Sequence, residues 1–157
     1  MSGLMVFGLG EADRRDDGVG GAVLRAVMAR ATPRREDGPH YLVVPQPLDL
    51  LGVWAQADCA VIVDAVRSGA AAGTVHSLRL GPEGLAWEAT SSSHGIGLGG
   101  VLRLAQALGQ APRDVWLVGV EGADFGFGVG LSPRVWEAVP AAARRVSELL
   151  EEGMACA

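Results

Sequence analysis

The chain has 157 residues, 49% of them hydrophobic, with a formal net charge of −5. That length suits one domain able to bury roughly 70% of its unfolded surface without cross-links. The acidic balance argues against nucleic acid as the main partner, and no apolar run approaches the roughly 20 residues a membrane span needs.

In chain order, a first strand is predicted over Leu4–Gly8. The segment Gly8-Leu9-Gly10-Glu11-Ala12-Asp13-Arg14-Arg15-Asp16-Asp17-Gly18-Val19-Gly20 leads from it into a helix over Gly18–Ala31. There Val19, Ala22, Val23, Ala26 and Val27 share one face at helical spacing. A polar connection over residues 32–39 precedes a second strand, Tyr41–Val44. Pro45-Gln46-Pro47 breaks the chain, and a short helix is expected over Leu48–Gln56. Cys59–Asp64 is apolar except at its last residue, as in a strand covered on both faces. A small-residue turn, Ser68–Gly73, leads to a fourth strand, Thr74–Leu80. No helix fits between strands three and four, so that pair is expected to be antiparallel. Gly81–Ser93 reads as loop, Leu98–Leu108 as helix, Val115–Val120 as the fifth strand and Pro133–Glu151 as the final helix. Gly122–Gly130 reads as a mobile surface loop. The alternation of strand and helix patterns predicts an α/β fold: one three-layer domain over residues 1–157, with a five-stranded, mostly parallel twisted sheet, one antiparallel strand and helices on both faces.

Two cysteines, Cys59 and Cys156, are too few for a cysteine metal cluster and read as reduced thiols of a cytoplasmic protein. The start Met1-Ser2-Gly3-Leu4 has no secretion-leader pattern. All 13 basic residues are arginine, so any mechanism that needs a lysine is excluded.

In open parallel sheets, sites form beyond the carboxyl ends of the strands. Asp17 lies in the loop leaving the first strand. Asp64 ends the third strand on the same edge. His94, in Ser93-His94-Gly95-Ile96-Gly97-Leu98, precedes a helix that must begin at that edge in order to enter the fifth strand from the other. Two carboxylates and an imidazole would then converge as a divalent-metal site with open positions. Gly18, Gly20, Gly95 and Gly97 would let a peptide come close. Each residue has a plainer reading. Asp16 or Asp17 would cap the first helix, Asp64 would bond loop amides, and His94 would be an ordinary loop histidine. His40 and His76 read as structural.

Three other functions match parts of this pattern. A dinucleotide fingerprint fails because its third glycine position is Asp13, and Asp13, Asp16 and Asp17 would repel a pyrophosphate. A phosphoacceptor module needs a lysine after the fifth strand, where this chain has Gly119-Val120-Glu121. A non-catalytic protein that senses a metal-loaded partner would use the same ligands as an enzyme.

Taken together, Gly8-Leu9-Gly10, Asp16-Asp17-Gly18-Val19-Gly20, Val61-Ile62-Val63-Asp64-Ala65, His94-Gly95-Ile96-Gly97-Leu98, Val118-Gly119-Val120-Glu121 and Gly130-Leu131-Ser132-Pro133 resemble the hydrogenase maturation proteases in order along nearly the whole chain. The resemblance implies an endopeptidase that removes the C-terminal extension of a [NiFe]-hydrogenase large-subunit precursor after nickel insertion. It implies Asp17, Asp64 and His94 as the metal-contacting residues. It also implies nickel supplied by the substrate, no organic cofactor, and neither nucleic acid nor membrane as partner. Two positions depart from the family pattern. Glu11 stands where the family has asparagine and is a candidate fourth oxygen, and Pro45-Gln46-Pro47 replaces a glycine-rich turn. Hydrolysis driven by a carboxylate and hydrolysis driven by a metal-bound water both remain open at this point.

Overall fold

Five short apolar runs pair into one sheet in the order β2-β1-β3-β5-β4. The structure is a computed structural model that describes residues 3–31, 36–80 and 97–152. Its elements are β1 (Leu4–Leu9), α1 (Val19–Arg30), β2 (His40–Val44), β3 (Cys59–Val66), β4 (Val75–Leu80), α2 (Leu98–Ala107), β5 (Asp114–Glu121) and α3 (Pro133–Glu151). β1 pairs in parallel with both β2 and β3, and β3 in parallel with β5. β4 alone runs antiparallel, against β5.

Strand alternation sorts the core into two layers. Val61, Val63 and Ala65 of β3 pack with Val19, Val23 and Val27 of α1 and with Val135, Ala142 and Val146 of α3. Ala60 and Ile62 face the other way, against Leu98, Val101 and Leu102 of α2 and against Leu50 and Trp54. Every residue of β3 is buried except Asp64, which is half-buried. By alternation that carboxylate shares the Ala60–Ile62 side of the sheet, the side on which α2 begins.

The expected three-layer α/β architecture is therefore observed, with four differences of detail. The Leu48–Gln56 helix is two 3-10 turns, Pro47–Gly52 and Trp54–Gln56. β3 continues two residues past Asp64. β3 and β4 run in opposite directions but are not neighbours: β5 lies between them, with Asp64 opposite Gly119 and Leu78 opposite Leu117. The reversal after β3 leaves a gap one strand wide, and the crossover through α2 returns the chain into it. Finally, Cys59, 1% exposed, is disulfide-bonded, which corrects the reading of reduced thiols. Sequence separation carries no information on which sulfurs come within bonding distance. The other cysteine, Cys156, lies outside the described residues, as does the expected loop Gly81–Ser93.

Candidate active site

The carboxyl edge of β1 and β3 is shaped first by close backbone approach. A Cβ at Gly20 would lie 2.5 Å from the Leu9 carbonyl oxygen and 2.7 Å from that of Val63, so only glycine lets the first turn of α1 rest on the ends of both strands. Gly10 has φ 112° and stands so near the next turn that a Cβ there would be 1.9 Å from the Asp17 carbonyl oxygen. That left-handed conformation is one that glycine adopts without steric cost. The chain then makes a 3-10 turn over Arg15–Gly18, which sends two adjacent aspartates to different partners.

Asp17 Oδ2 accepts the Glu11 N–H at 2.8 Å, which fixes the carboxylate above the end of β1. Asp64 reaches the same region from β3. Burial, and then the charge of Asp17, push the Asp64 carboxyl up to about 8, and the Ala65 amide offsets this only in part. The two acids are thus electrostatically coupled, and near neutral pH the metal-free pair holds a proton on Asp64. Topology brings Asp17 and Asp64 together as the sequence predicts. His94 lies outside the described residues. Among the described residues no group of three histidine, cysteine, aspartate or glutamate side chains is gathered to hold a metal ion.

Asp16 does something the sequence did not disclose. It is fully buried, and its oxygens accept the Ala123 and Asp124 N–H groups at 2.8 Å each, the Ser132 N–H at 2.7 Å and the Ser132 hydroxyl at 2.8 Å. Burial pushes its pKa up, but bonds from Ser132, Asp124 and Ala123 outweigh that and leave it below the usual carboxylate value. Neither aspartate caps α1: the N-cap is Gly18, with no side-chain bond. The only cue in the sequence was the doublet Asp16-Asp17 itself, and it did not say which member turns inward.

The Gly122–Gly130 stretch, expected to be mobile, is pinned. Arg15 N–H donates to the Gly128 carbonyl, Gly128 N–H to that of Asp13, and Asp16 N–H to that of Asp124. The donors lie more than 100 positions from their partners, beyond the reach of a local composition argument. Arg67 stacks over Phe125, 4.0 Å from the ring centroid. Glu121, 2% exposed at the end of β5, accepts the Ser68 N–H and hydroxyl and pairs with His76 Nε2 at 3.0 Å. This ties the turn after β3 to β5 and supports the structural reading of His76.

The family model described as HycI, hydrogenase maturation protease, matches residues 45–149. Among solved structures the chain is similar to the hydrogenase maturating endopeptidase HybD from E. coli, with TM-score 0.78 and 28% identity over 96% of this chain and 94% of that one. It is similar to an endopeptidase from Escherichia coli, with TM-score 0.83, 29% identity and the same two coverages, 96% and 94%. It shares the fold of a [NiFe] hydrogenase maturation protease HycI from Thermococcus kodakarensis KOD1, with TM-score 0.71 and 24% identity over 96% of this chain and 93% of that one. No curated protein matches it.

Proposed function

This chain belongs to the hydrogenase maturation protease family, and from that premise we propose that it is the endopeptidase that removes the C-terminal extension of a [NiFe]-hydrogenase large-subunit precursor. Asp17, Asp64 and His94 are the residues assigned to the cleavage. The observation that carries this assignment is the coupled acid pair, with Asp64 pushed up to about 8 beside Asp17. Among the described residues no positive group offsets that shift, and a divalent cation would supply one. The non-catalytic sensor reading has no comparable support from a family of peptidases.

Nickel enters this proposal as part of the substrate. In the precursor it is held by thiolates, which are soft ligands, whereas this chain offers hard carboxylates. That donor set fits an ion shared with the precursor better than one held by the protease alone. The ion of a loaded precursor would take the place of the proton on Asp64 and offset the charge of both carboxylates. Unloaded precursor would leave it in place, and cleavage would wait. The ion supplies polarisation of a carbonyl or water. In this reading Asp17, whose carboxylate accepts the Glu11 N–H, takes the proton from an attacking water.

Purified protein mixed with nickel-loaded precursor should shorten it, as read by intact mass, while nickel-free precursor stays uncut. Equal rates on the two precursors would refute metal sharing. Near-normal trimming by Asp17→Asn, Asp64→Asn and His94→Ala, with folding intact, would remove the site assignment.

Among the described residues no helix is long and apolar enough to cross a membrane. A cytoplasmic site of action is part of the proposal. Alkylation of thiols at the moment of lysis tests it, because a Cys59 disulfide already formed in the cell would place the protein in an oxidising compartment.

A further inference from the structure

Phe127 and Val129 are 83% and 84% exposed, yet the segment that carries them is held rigidly. Gly128, between them, donates its N–H to Asp13 at 2.8 Å and accepts the Arg15 N–H at 2.9 Å. Asp16 grips Ala123 and Asp124 on one side of the pair and Ser132 on the other. Gly128 has φ 140°, and a Cβ there would lie 3.0 Å from the Arg15 guanidinium carbon, so the position is reserved for glycine. Arg14 rests over the Phe127 ring, 5.0 Å from its centroid.

Fixing this backbone costs conformational entropy, and two apolar side chains left in water return almost none of it by burial. The isolated chain gains little from the arrangement. A binding partner gains much, because an anchor fixed beforehand lowers the cost of docking, and aromatic residues that fill pockets dominate interface energetics. Position selects the occupant. The segment is bonded to residues 13–16, immediately before Asp17, so it borders the surface on which a protein delivering a peptide to Asp17 and Asp64 would rest.

We propose that Phe127 and Val129 form a preformed docking point, received by an apolar recess on the folded body of the hydrogenase large-subunit precursor, which holds that precursor while its C-terminal extension reaches the acid pair. This rests on the function proposed above.

The test is steady-state trimming of nickel-loaded precursor by the full chain, with melting and sedimentation recorded for each variant. In Phe127→Ser/Val129→Ser, KM should rise about tenfold or more while kcat stays within about twofold and the melting temperature is unchanged. Gly128→Ala, which displaces the segment but keeps both side chains, should raise KM in the same direction. Met28→Gln, at a 48% exposed apolar residue far along α1, should change neither constant. A wild-type chain that trims precursor, with an unaltered KM in the double variant, overturns the docking point alone. A fall in kcat without a change in KM also overturns it, as does conversion of a wild-type dimer to monomer with KM unaltered. A wild-type chain that never trims overturns the function proposal instead.

Discussion

Asp16 and Asp64 are both acids withdrawn from water at the same rim of the sheet, yet their proton affinities move in opposite directions. Asp16, fully buried, is met by four donors from the segment between β5 and α3. Asp64, only half-buried, meets the charge of Asp17 and, among the described residues, the offsetting amide of Ala65. Burial alone does not decide the charge of a carboxyl; the number of donors aimed at it does. The saturated acid holds two loops together. The undersupplied one binds its proton more tightly than an ordinary carboxyl, a perturbation typical of functional sites.

The largest expected effect concerns activity. Asp64→Asn and Asp17→Asn should each lower the trimming rate by about a hundredfold or more, whereas a conservative change at Asp16 should act through stability. Rates measured well below each variant's melting temperature separate the two behaviours. Next in size is Asp16→Asn, which places an amide NH2 among donors and should destabilise the fold by about 2–4 kcal/mol in urea titration. If it melts like the wild type, the clamp is not holding the segment.

The two acids should also impose opposite pH slopes on the metal-free protein. With Asp64 raised from 3.8 to about 8, the unfolded chain releases a proton that the native state retains. The stability this group contributes is whole below about pH 4 and is lost as pH rises towards 8. Asp64→Asn should remove that decline and raise the melting temperature at pH 8 by about 5 °C. Asp16 lies below its ordinary 3.8, so its contribution is present above that value and is lost as pH falls through its native value. Two melting curves, at pH 4.5 and pH 8, sharpen the comparison. An Asp64→Asn protein with wild-type pH dependence would break it.

The smallest effect is expected at the surface. Arg15 and Asp124 pair at 3.4 Å, but both side chains are about half exposed. Asp124→Asn should therefore cost less than about 1 kcal/mol. A larger loss would mean that the exposed pair, rather than Asp16, secures the segment.

Much of this was legible in the residues. The unbroken apolar run of β3 reports burial on both faces and the i, i+3, i+4 spacing in α1 burial on one, so element type and the α/β architecture follow from local pattern. The approach of Asp17 and Asp64 was also readable, because parallel strands joined by helices leave their carboxyl ends on one edge whatever the side-chain details. The place of β4 was not legible, since strand direction is a local inference while neighbourhood depends on where a later strand inserts. Nor was the pinned segment legible, because glycine-rich composition describes what a backbone can do and says nothing of the amide partners it will meet.

The amino-acid sequence by itself determined which segments must be buried, where the chain must turn, and which end of the sheet collects its acids. These depend on hydrophobic periodicity and on the reach of short connections, both of which act between near neighbours. Only the tertiary structure decided that Asp16 would be satisfied and Asp64 left poised, and that Phe127 and Val129 would be fixed in the open. A group's charge and a loop's rigidity depend on donors contributed from distant parts of the chain, and folding alone brings those donors into range.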